Sequence, residues 1–173
     1  MEDRELFETY RNDVYYLCYY MMRNRSDAED ICQETFVQAL RTDRSRITGI
    51  KPWLMRIAAN LCKNELSRRK RKNLKEAAAY WLNRTRQETP EEAVERSEEE
   101  NEMIGLFALL PVKIRIVASL RYVNGLTLQE IAEIVGIPEG TVKSRLNRVH
   151  TILKRKLGTT TYVQLKGEKC YEP

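Results

Sequence analysis

The sequence predicts an all-α protein with two small helical domains joined by an acidic linker. Apolar residues recur at three- and four-residue spacing along most of the chain, which is the period of an amphipathic helix. The first hundred residues show no alternation typical of a β-strand, and a glutamate-rich stretch from 88 to 102 separates two periodic regions. A chain of 173 residues has the length for two such domains.

The first domain is predicted to span residues 1–73 and to contain three helices. The second of these begins at a capping box, in which Ser26 caps the helix and Glu29 reaches back. The third begins near Pro52, which the first turn of a helix tolerates, and ends in a run of five basic residues. The apolar stripe of the second helix consists of Ala28, Ile31, Cys32, Thr35, Phe36 and Leu40.

The acidic linker is predicted to cover residues 74–99, with some helix near its start. It is expected to be flexible because like charges repel one another along it. The second domain follows at residues 100–157, and a polar, loose tail at 158–173 ends the chain.

The second domain ends in a predicted helix-turn-helix. Thr127 caps a short helix, Gly136 ends it, and Pro138 suits the first turn of the next helix. That next helix has a buried stripe and, on its other side, a row of amide, hydroxyl and cationic groups. Such a pair of helices presents a reading surface to the major groove of DNA, although a plain helical hairpin with a solvated basic face has the same pattern. The exposed row is Lys143, Ser144, Arg145, Asn147 and Arg148.

Bulk composition narrows the choice of function. The net charge of +5 and the pI near 9.0 favour a polyanionic partner. The four cysteines are scattered without a CxxC pair and there is one histidine, so neither a metal site nor a cofactor is expected. No signal peptide or membrane span is predicted, which indicates a cytoplasmic protein.

Several segments resemble one known family. Residues 27–36 (DAEDICQETF) and 51–61 (KPWLMRIAANL) are similar to the two signature stretches of sigma region 2. Residues 125–134 (GLTLQEIAEI) and 136–146 (GIPEGTVKSRL) are similar to sigma region 4. Their order, and the short acidic linker between them, resemble the extracytoplasmic-function (ECF) group of bacterial RNA polymerase sigma factors over residues 1–157. The resemblance implies an interchangeable polymerase subunit that is not an enzyme.

The resemblance assigns the second helix to polymerase docking. In the family, this helix packs on the clamp helices of the large catalytic subunit of core RNA polymerase. The alternative is that its acidic residues only favour the helix dipole and the cap. The positions that match the docking motif are Asp27, Asp30, Gln33 and Glu34.

The third helix and the loop before it, residues 41–49, are implied to capture unpaired bases of the promoter −10 element. In the family, Asn60 and this loop form a pocket for one base, while cations hold the DNA backbone. A polar surface position is the alternative for Asn60. The predicted −10 set is Arg56, Asn60, Lys63, Asn64, Arg68 and Arg69.

The helix-turn-helix is implied to read the −35 element as duplex. Arg148 is expected to contact guanine and Asn147 adenine, while Arg145 suits phosphates. One departure from the family concerns Val112 and Ile116, which stand where acidic residues are common. Their apolar surface suits either an anti-sigma partner, which many family members have, or a larger core.

Two other classes of protein are considered. A conventional DNA-binding regulator would use the helix-turn-helix without replacing a sigma factor. A serine recombinase would need an N-terminal α/β catalytic domain with a reactive serine, and the helical pattern of the first hundred residues disfavours it.

Overall fold

The computed structural model describes residues 2–82 and 98–157, and their side chains at 2–75 and 103–156. The described residues form helices, turns and loops without a β-strand, as predicted. The linker residues 83–97 and the tail 158–173 lie outside the described residues, together with the predictions made for them. The helices are α1 (Asp3–Met22), α2 (Arg25–Leu40), α3 (Ile50–Leu82), α4 (Glu98–Ala108), α5 (Val112–Ala118), α6 (Leu128–Val135) and α7 (Glu139–Leu157).

Helices α1, α2 and α3 pack on one another around the predicted apolar stripes. Leu17, Phe36 and Leu54 are buried at the centre of this bundle. The prediction that Leu40 is buried is wrong, because its side chain is 45% exposed. Ala39, four residues after Thr35, takes the core position instead, and Leu40 lies at the helix end beside the polar loop.

The start of α2 differs from the predicted capping box. The N-cap residue is Asn24, whose Oδ1 accepts a hydrogen bond from the backbone N–H of Asp27 at 2.9 Å. Ser26 lies inside the helix, and Glu29 forms an ion pair with Arg25 instead of reaching back. The prediction was wrong because Asn24 and Ser26 are both good capping residues. Helix α1 ends at Met22, so α2 can begin as early as Arg25, and Asn24 is then the residue at the N-cap position.

Helix α3 is longer than the sequence indicated. It has 33 residues and continues past the basic run to Leu82. No proline or glycine interrupts residues 73–82, and the alanines at 77–79 are strong helix formers. The first part of the predicted linker is therefore helical, as the sequence suggested in part.

The helix-turn-helix forms as predicted. Thr127 and Glu130 make a complete capping box at the start of α6, and Gly136 ends that helix with φ of 72°. A left-handed conformation is accessible to glycine at little cost, which explains the residue type at this turn. Between α5 and α6, residues Ser119–Val123 form one π-helical turn.

The two domains contact each other directly. Helix α6 packs against α3, and the π-helical turn packs against α1. The rings of Tyr20 and Phe107 have centroids 4.7 Å apart across this contact. Within the described parts of the chain, no helix is long and apolar enough to cross a membrane.

Candidate nucleic-acid interface

The outer side of α7 carries the predicted −35 residues. Lys143, Ser144, Asn147 and Arg148 are exposed on this side, while Val142, Leu146 and Val149 are buried against α5 and α6. The apolar stripe fixes how the helix is rotated, so the cationic and amide groups face solvent together. This surface offers the donors and acceptors that direct readout of base edges requires.

Arg145 differs from its neighbours on α7. It is half-buried, and its Nη1 donates to the carbonyl oxygen of Lys113 at 3.2 Å. This bond ties α7 to the first turn of α5. The phosphate contact expected for Arg145 stays a prediction, and it requires the guanidinium to use its remaining donors.

The predicted −10 residues fall into two groups on α3. Arg56, Asn60 and Asn64 are exposed, and Lys63 is half-buried beside them. These four lie at helical spacing, so they form one polar strip along α3. Arg68 and Arg69 follow on the next turns and are already engaged in ion pairs.

Glu65 is the acid that holds both arginines. Its carboxylate accepts from Arg68 at 2.8 and 2.9 Å and from Arg69 at 2.7 Å. These hydrogen bonds, first from Arg68 and then from Arg69, lower the pKa of Glu65 to about 2. Glu65 was not among the residues predicted from the sequence, although its spacing of three and four residues to two arginines was a visible signal.

The loop before α3 is held by its own polar groups. The backbone N–H and the hydroxyl of Ser45 both donate to the carboxylate of Asp43, at 3.0 Å each, and these bonds lower the pKa of Asp43. Arg44 pairs with Asp3 of α1. The backbone N–H of Trp53 donates to the backbone carbonyl of Gly49 at 3.1 Å, and this bond fixes the direction in which the loop enters α3.

The predicted docking residues on α2 divide in the same way. Asp30, Gln33 and Glu34 are exposed on one side of the helix. The carboxylate of Asp27 instead accepts hydrogen bonds from Nη1 and Nη2 of Arg69, at 2.8 and 2.7 Å. Exposed apolar groups also lie beside this acidic face, with Val37 at 39% and Leu40 at 45% exposure, and they were not predicted from the sequence.

The region 4 departure has two outcomes. Ile116 is 1% exposed and belongs to the core. Of the two roles considered for this apolar residue, an anti-sigma contact or a larger core, the structure therefore favours the larger core. Val112 is 37% exposed and leaves apolar surface at the start of α5.

The described residues contain no cluster of side chains suited to hold a metal ion. Cys18, Cys32 and Cys62 are free and buried in the first domain. Burial raises the pKa of Cys32 to about 11, and a hydrogen bond with Cys62 together with burial raises the pKa of Cys18. These thiols behave as small apolar residues in this setting.

Comparison with known proteins matches both halves of the chain. A family model described as sigma-70 region 2 matches residues 6–72, and one described as sigma-70 region 4 matches residues 101–149. The ECF RNA polymerase sigma factor SigW of Bacillus subtilis is 35% identical over 88% of this chain and 87% of its own length. The ECF RNA polymerase sigma-E factor of Haemophilus influenzae is 32% identical over 78% of this chain and 76% of its own.

A solved structure shares the fold. The sigma factor RpoE from Bartonella quintana, in complex with the anti-sigma factor NepR, superposes with a TM-score of 0.67 at 21% identity. The match covers 89% of this chain and 95% of that one.

Proposed function

This chain belongs to the extracytoplasmic-function group of sigma-70 RNA polymerase sigma factors, and we propose that it binds core RNA polymerase through α2 and reads promoter DNA through α3 and α7. The observation that carries the proposal is the separation of charge. The acidic and amide groups face outward on α2, and the cationic and amide groups face outward on α3 and α7. One surface thus suits a protein partner, and two suit nucleic acid.

The −35 element is assigned to α7. Arg148 is exposed and presents a guanidinium that pairs with guanine O6 and N7, and Asn147 beside it pairs with adenine. Lys143 contributes affinity through phosphate, which makes binding depend on salt.

The −10 element is assigned to the strip on α3 and the loop at 41–49. Asn60 is exposed and has both a donor and an acceptor for one unpaired base edge. Arg56 and Lys63 flank it at helical spacing and suit the DNA backbone. Arg68 and Arg69 carry a smaller share of DNA contact than the sequence indicated, because Glu65 neutralises part of their charge.

Docking on core polymerase is assigned to Asp30, Gln33 and Glu34, with Val37 and Leu40 adding apolar area at the edge of the same face. Apolar area beside polar and charged groups is a common composition for a protein interface. Asp27 serves the fold of the first domain through its pair with Arg69.

Control by an anti-sigma factor is part of the proposal. It is supported by the similarity to a sigma factor that was solved in complex with one. The site of action is the bacterial cytoplasm, where RNA polymerase works, and the chain itself supplies no catalytic group to the reaction.

Run-off transcription tests this function. Purified protein is mixed with bacterial core RNA polymerase and a library of promoter fragments. Initiation that depends on the added protein, with a shared pair of sequence elements in the responding fragments, supports a sigma factor. Stable binding to duplex DNA without core binding or initiation would identify a conventional regulator instead.

A further inference from the structure

Gly140 is a helical glycine that the fold itself does not require. It is exposed near the start of α7, and its φ lies outside the left-handed region that Gly125 and Gly136 adopt. A Cβ at Gly140 would meet no atom within 4 Å among the described residues. Glycine is a poor helix former because it loses more backbone freedom on folding than any other residue, so alanine would suit this helix better. The folded chain therefore gives no reason for glycine at this position.

Position, and not open space alone, distinguishes Gly140. Gly105 in α4 is equally open, but it belongs to no surface assigned to DNA. Gly140 begins a row of exposed residues at helical spacing along α7. The other members of the row, at three, four and seven residues further on, are Lys143, Ser144 and Asn147. Because these side chains are proposed to meet the −35 element, Gly140 lies at the leading end of the reading surface.

The helix surface around Gly140 is low. Side chains on a helix lean toward the preceding turn, so Lys143 and Ser144 border the bare backbone of Gly140. The hydroxyl of Ser144 donates to the backbone carbonyl of Thr141 at 3.2 Å, which holds this short side chain against the helix. Glu139, the acid of the first turn, is about 100° away around the helix and borders a surface recess beside α6. Its carboxylate therefore lies outside the row.

An α-helix fits the major groove of DNA with little room to spare. With its side chains it is about 10–12 Å across, and the major groove of B-DNA is about 12 Å wide. In a helix-turn-helix, the N-terminal residues of the second helix are the ones that contact base edges. The depth to which this end enters the groove depends on the atoms that face the DNA, and glycine allows the closest approach of a backbone to a ligand.

We propose that Gly140 is a positioning residue for the −35 element: its bare backbone lets the first turn of α7 enter the groove deeply enough to bring Ser144 and Asn147 to the base edges. This role rests on the proposed function and adds to it a requirement of shape. A Cβ at position 140 would improve the helix, but it would face the DNA and hold this end of α7 away from the bases. One substitution should therefore stabilise the protein and weaken its reading of the −35 element.

Gly140→Ala and Gly105→Ala form a matched pair for the test. Each replaces an exposed helical glycine that has open space around it, but only Gly140 lies in the reading row. Gly140→Val adds a larger side chain that supports a helix less well than alanine, so it separates the effect of size from that of helix propensity.

The measurement uses holoenzymes reconstituted from core RNA polymerase and each full chain. Their affinities are compared for two promoter duplexes, which derive from a fragment that responds to the wild type in run-off transcription. The duplexes share one −10 element and differ only in an intact or a scrambled −35 element. Core affinity and the melting temperature of each free protein are measured beside them.

Both alanine variants should raise the melting temperature by about 2–4 °C, because alanine favours a helix over glycine. Gly140→Ala should lower the affinity for the intact duplex about tenfold, since it moves at least one base contact out of reach. Its affinity for the scrambled duplex, which depends on phosphate contacts, should be unchanged. Gly140→Val should lower the affinity for the intact duplex further, although it gains less stability. Gly105→Ala should bind both duplexes like the wild type, and core affinity should be the same in all four proteins.

Three results would overturn this role of Gly140. One is a Gly140→Ala holoenzyme that discriminates between the duplexes as well as the wild type. Another is a lower melting temperature in Gly140→Ala, because the fold itself would then require the glycine. The third is an equal loss of affinity in Gly105→Ala, which would make helix stability, and not shape, the cause. A wild-type protein that forms no holoenzyme, or that binds both duplexes equally, would reject the proposed function and the role of Gly140 with it.

Discussion

Asp27 and Arg69 form a bidentate ion pair that joins the start of α2 to the basic segment of α3, with nitrogen–oxygen distances of 2.8 and 2.7 Å. The sequence assigned these residues to two different partners, polymerase and DNA. In the structure the charge of each side chain is paired with the other, and the Asp27 side chain is only 23% exposed. The pair therefore stabilises the first domain, and it lies between the docking surface proposed on α2 and the −10 surface proposed on α3.

The first prediction concerns this pair. Asp27→Asn and Arg69→Gln should each lower the free energy of unfolding by about 1 kcal/mol, because fork-shaped pairing is stronger than an ordinary surface ion pair. The loss in the double variant should be smaller than the sum of the single losses. Urea unfolding of the four proteins measures the coupling. The exposed pair Arg4–Glu8 is the control and should show coupling near zero, and equal coupling in both cycles would contradict the prediction.

The second prediction concerns the start of α2. Asn24→Ala should lower the free energy of unfolding by about 1 kcal/mol, because it removes the side-chain acceptor for the N–H of Asp27. Ser26→Ala should have little effect, since Ser26 is inside the helix. Thermal unfolding of both variants measures the difference. A larger loss for Ser26→Ala would restore the capping box that the sequence indicated.

The third prediction compares two glycines that are close in the chain. Gly136→Ala should destabilise the protein by about 1 kcal/mol, because φ of 72° is strained for any residue with a Cβ. Gly140→Ala should stabilise it by up to about 1 kcal/mol, because Gly140 lies in α7 and an added Cβ meets no atom within 4 Å. Denaturant unfolding measures both changes, and shifts of the same sign would contradict the prediction.

The fourth prediction concerns pH. The pKa of Glu65 falls from an ordinary value near 4.5 to about 2 in the folded protein, because Arg68 and Arg69 donate to its carboxylate. This stabilisation is complete above pH 4.5 and is lost as the pH falls toward 2. Glu65→Gln should remove about 1 kcal/mol at pH 7, a value kept small because Arg68 is exposed and screened.

The measurement for Glu65 is the free energy of unfolding of wild type and Glu65→Gln from pH 7 to pH 2. The difference between the two proteins should shrink across the window from 4.5 to 2. Glu8→Gln removes the carboxylate of the exposed Arg4–Glu8 pair on α1 and serves as the control for the loss of one surface charge. A constant difference at all pH values would show that Glu65 stabilises the fold by packing and not by charge.

Local chemistry explains which features could be predicted from the sequence. The apolar stripes, the cap at Thr127 and the stop at Gly136 depend on residues within four positions of one another, and the structure confirms them. The family motifs also placed Asn60 and Arg148 on exposed helix faces. The prediction that Leu40 is buried was wrong because the helical periodicity of the sequence does not show where the neighbouring helix ends.

Two of the missed features join residues that are far apart in the chain. The pair of Asp27 and Arg69 spans 42 positions, and the bond from Asn124 to Asp13 spans 111. No periodicity connects such residues, and each has an adequate role as a solvated surface group when it is considered alone. The contact between domains was unforeseeable for the same reason, since the acidic linker suggested separation.

The fifth prediction separates the proposed DNA and polymerase surfaces. Arg148→Ala should weaken initiation at promoters that carry the cognate −35 element by about tenfold, because a bidentate contact to guanine provides about 1–3 kcal/mol of discrimination. Core binding should be unchanged, since Arg148 and α2 lie in different domains. The joint substitution Asp30→Ala and Glu34→Ala should do the reverse and weaken core binding while leaving duplex binding by α7 intact.

Run-off transcription on promoters with and without the −35 element, together with core affinity by fluorescence anisotropy, measures both effects. Equal loss by Arg148→Ala on both promoters would reject base readout by α7, and unchanged core affinity in the double variant would move the docking surface away from Asp30 and Glu34.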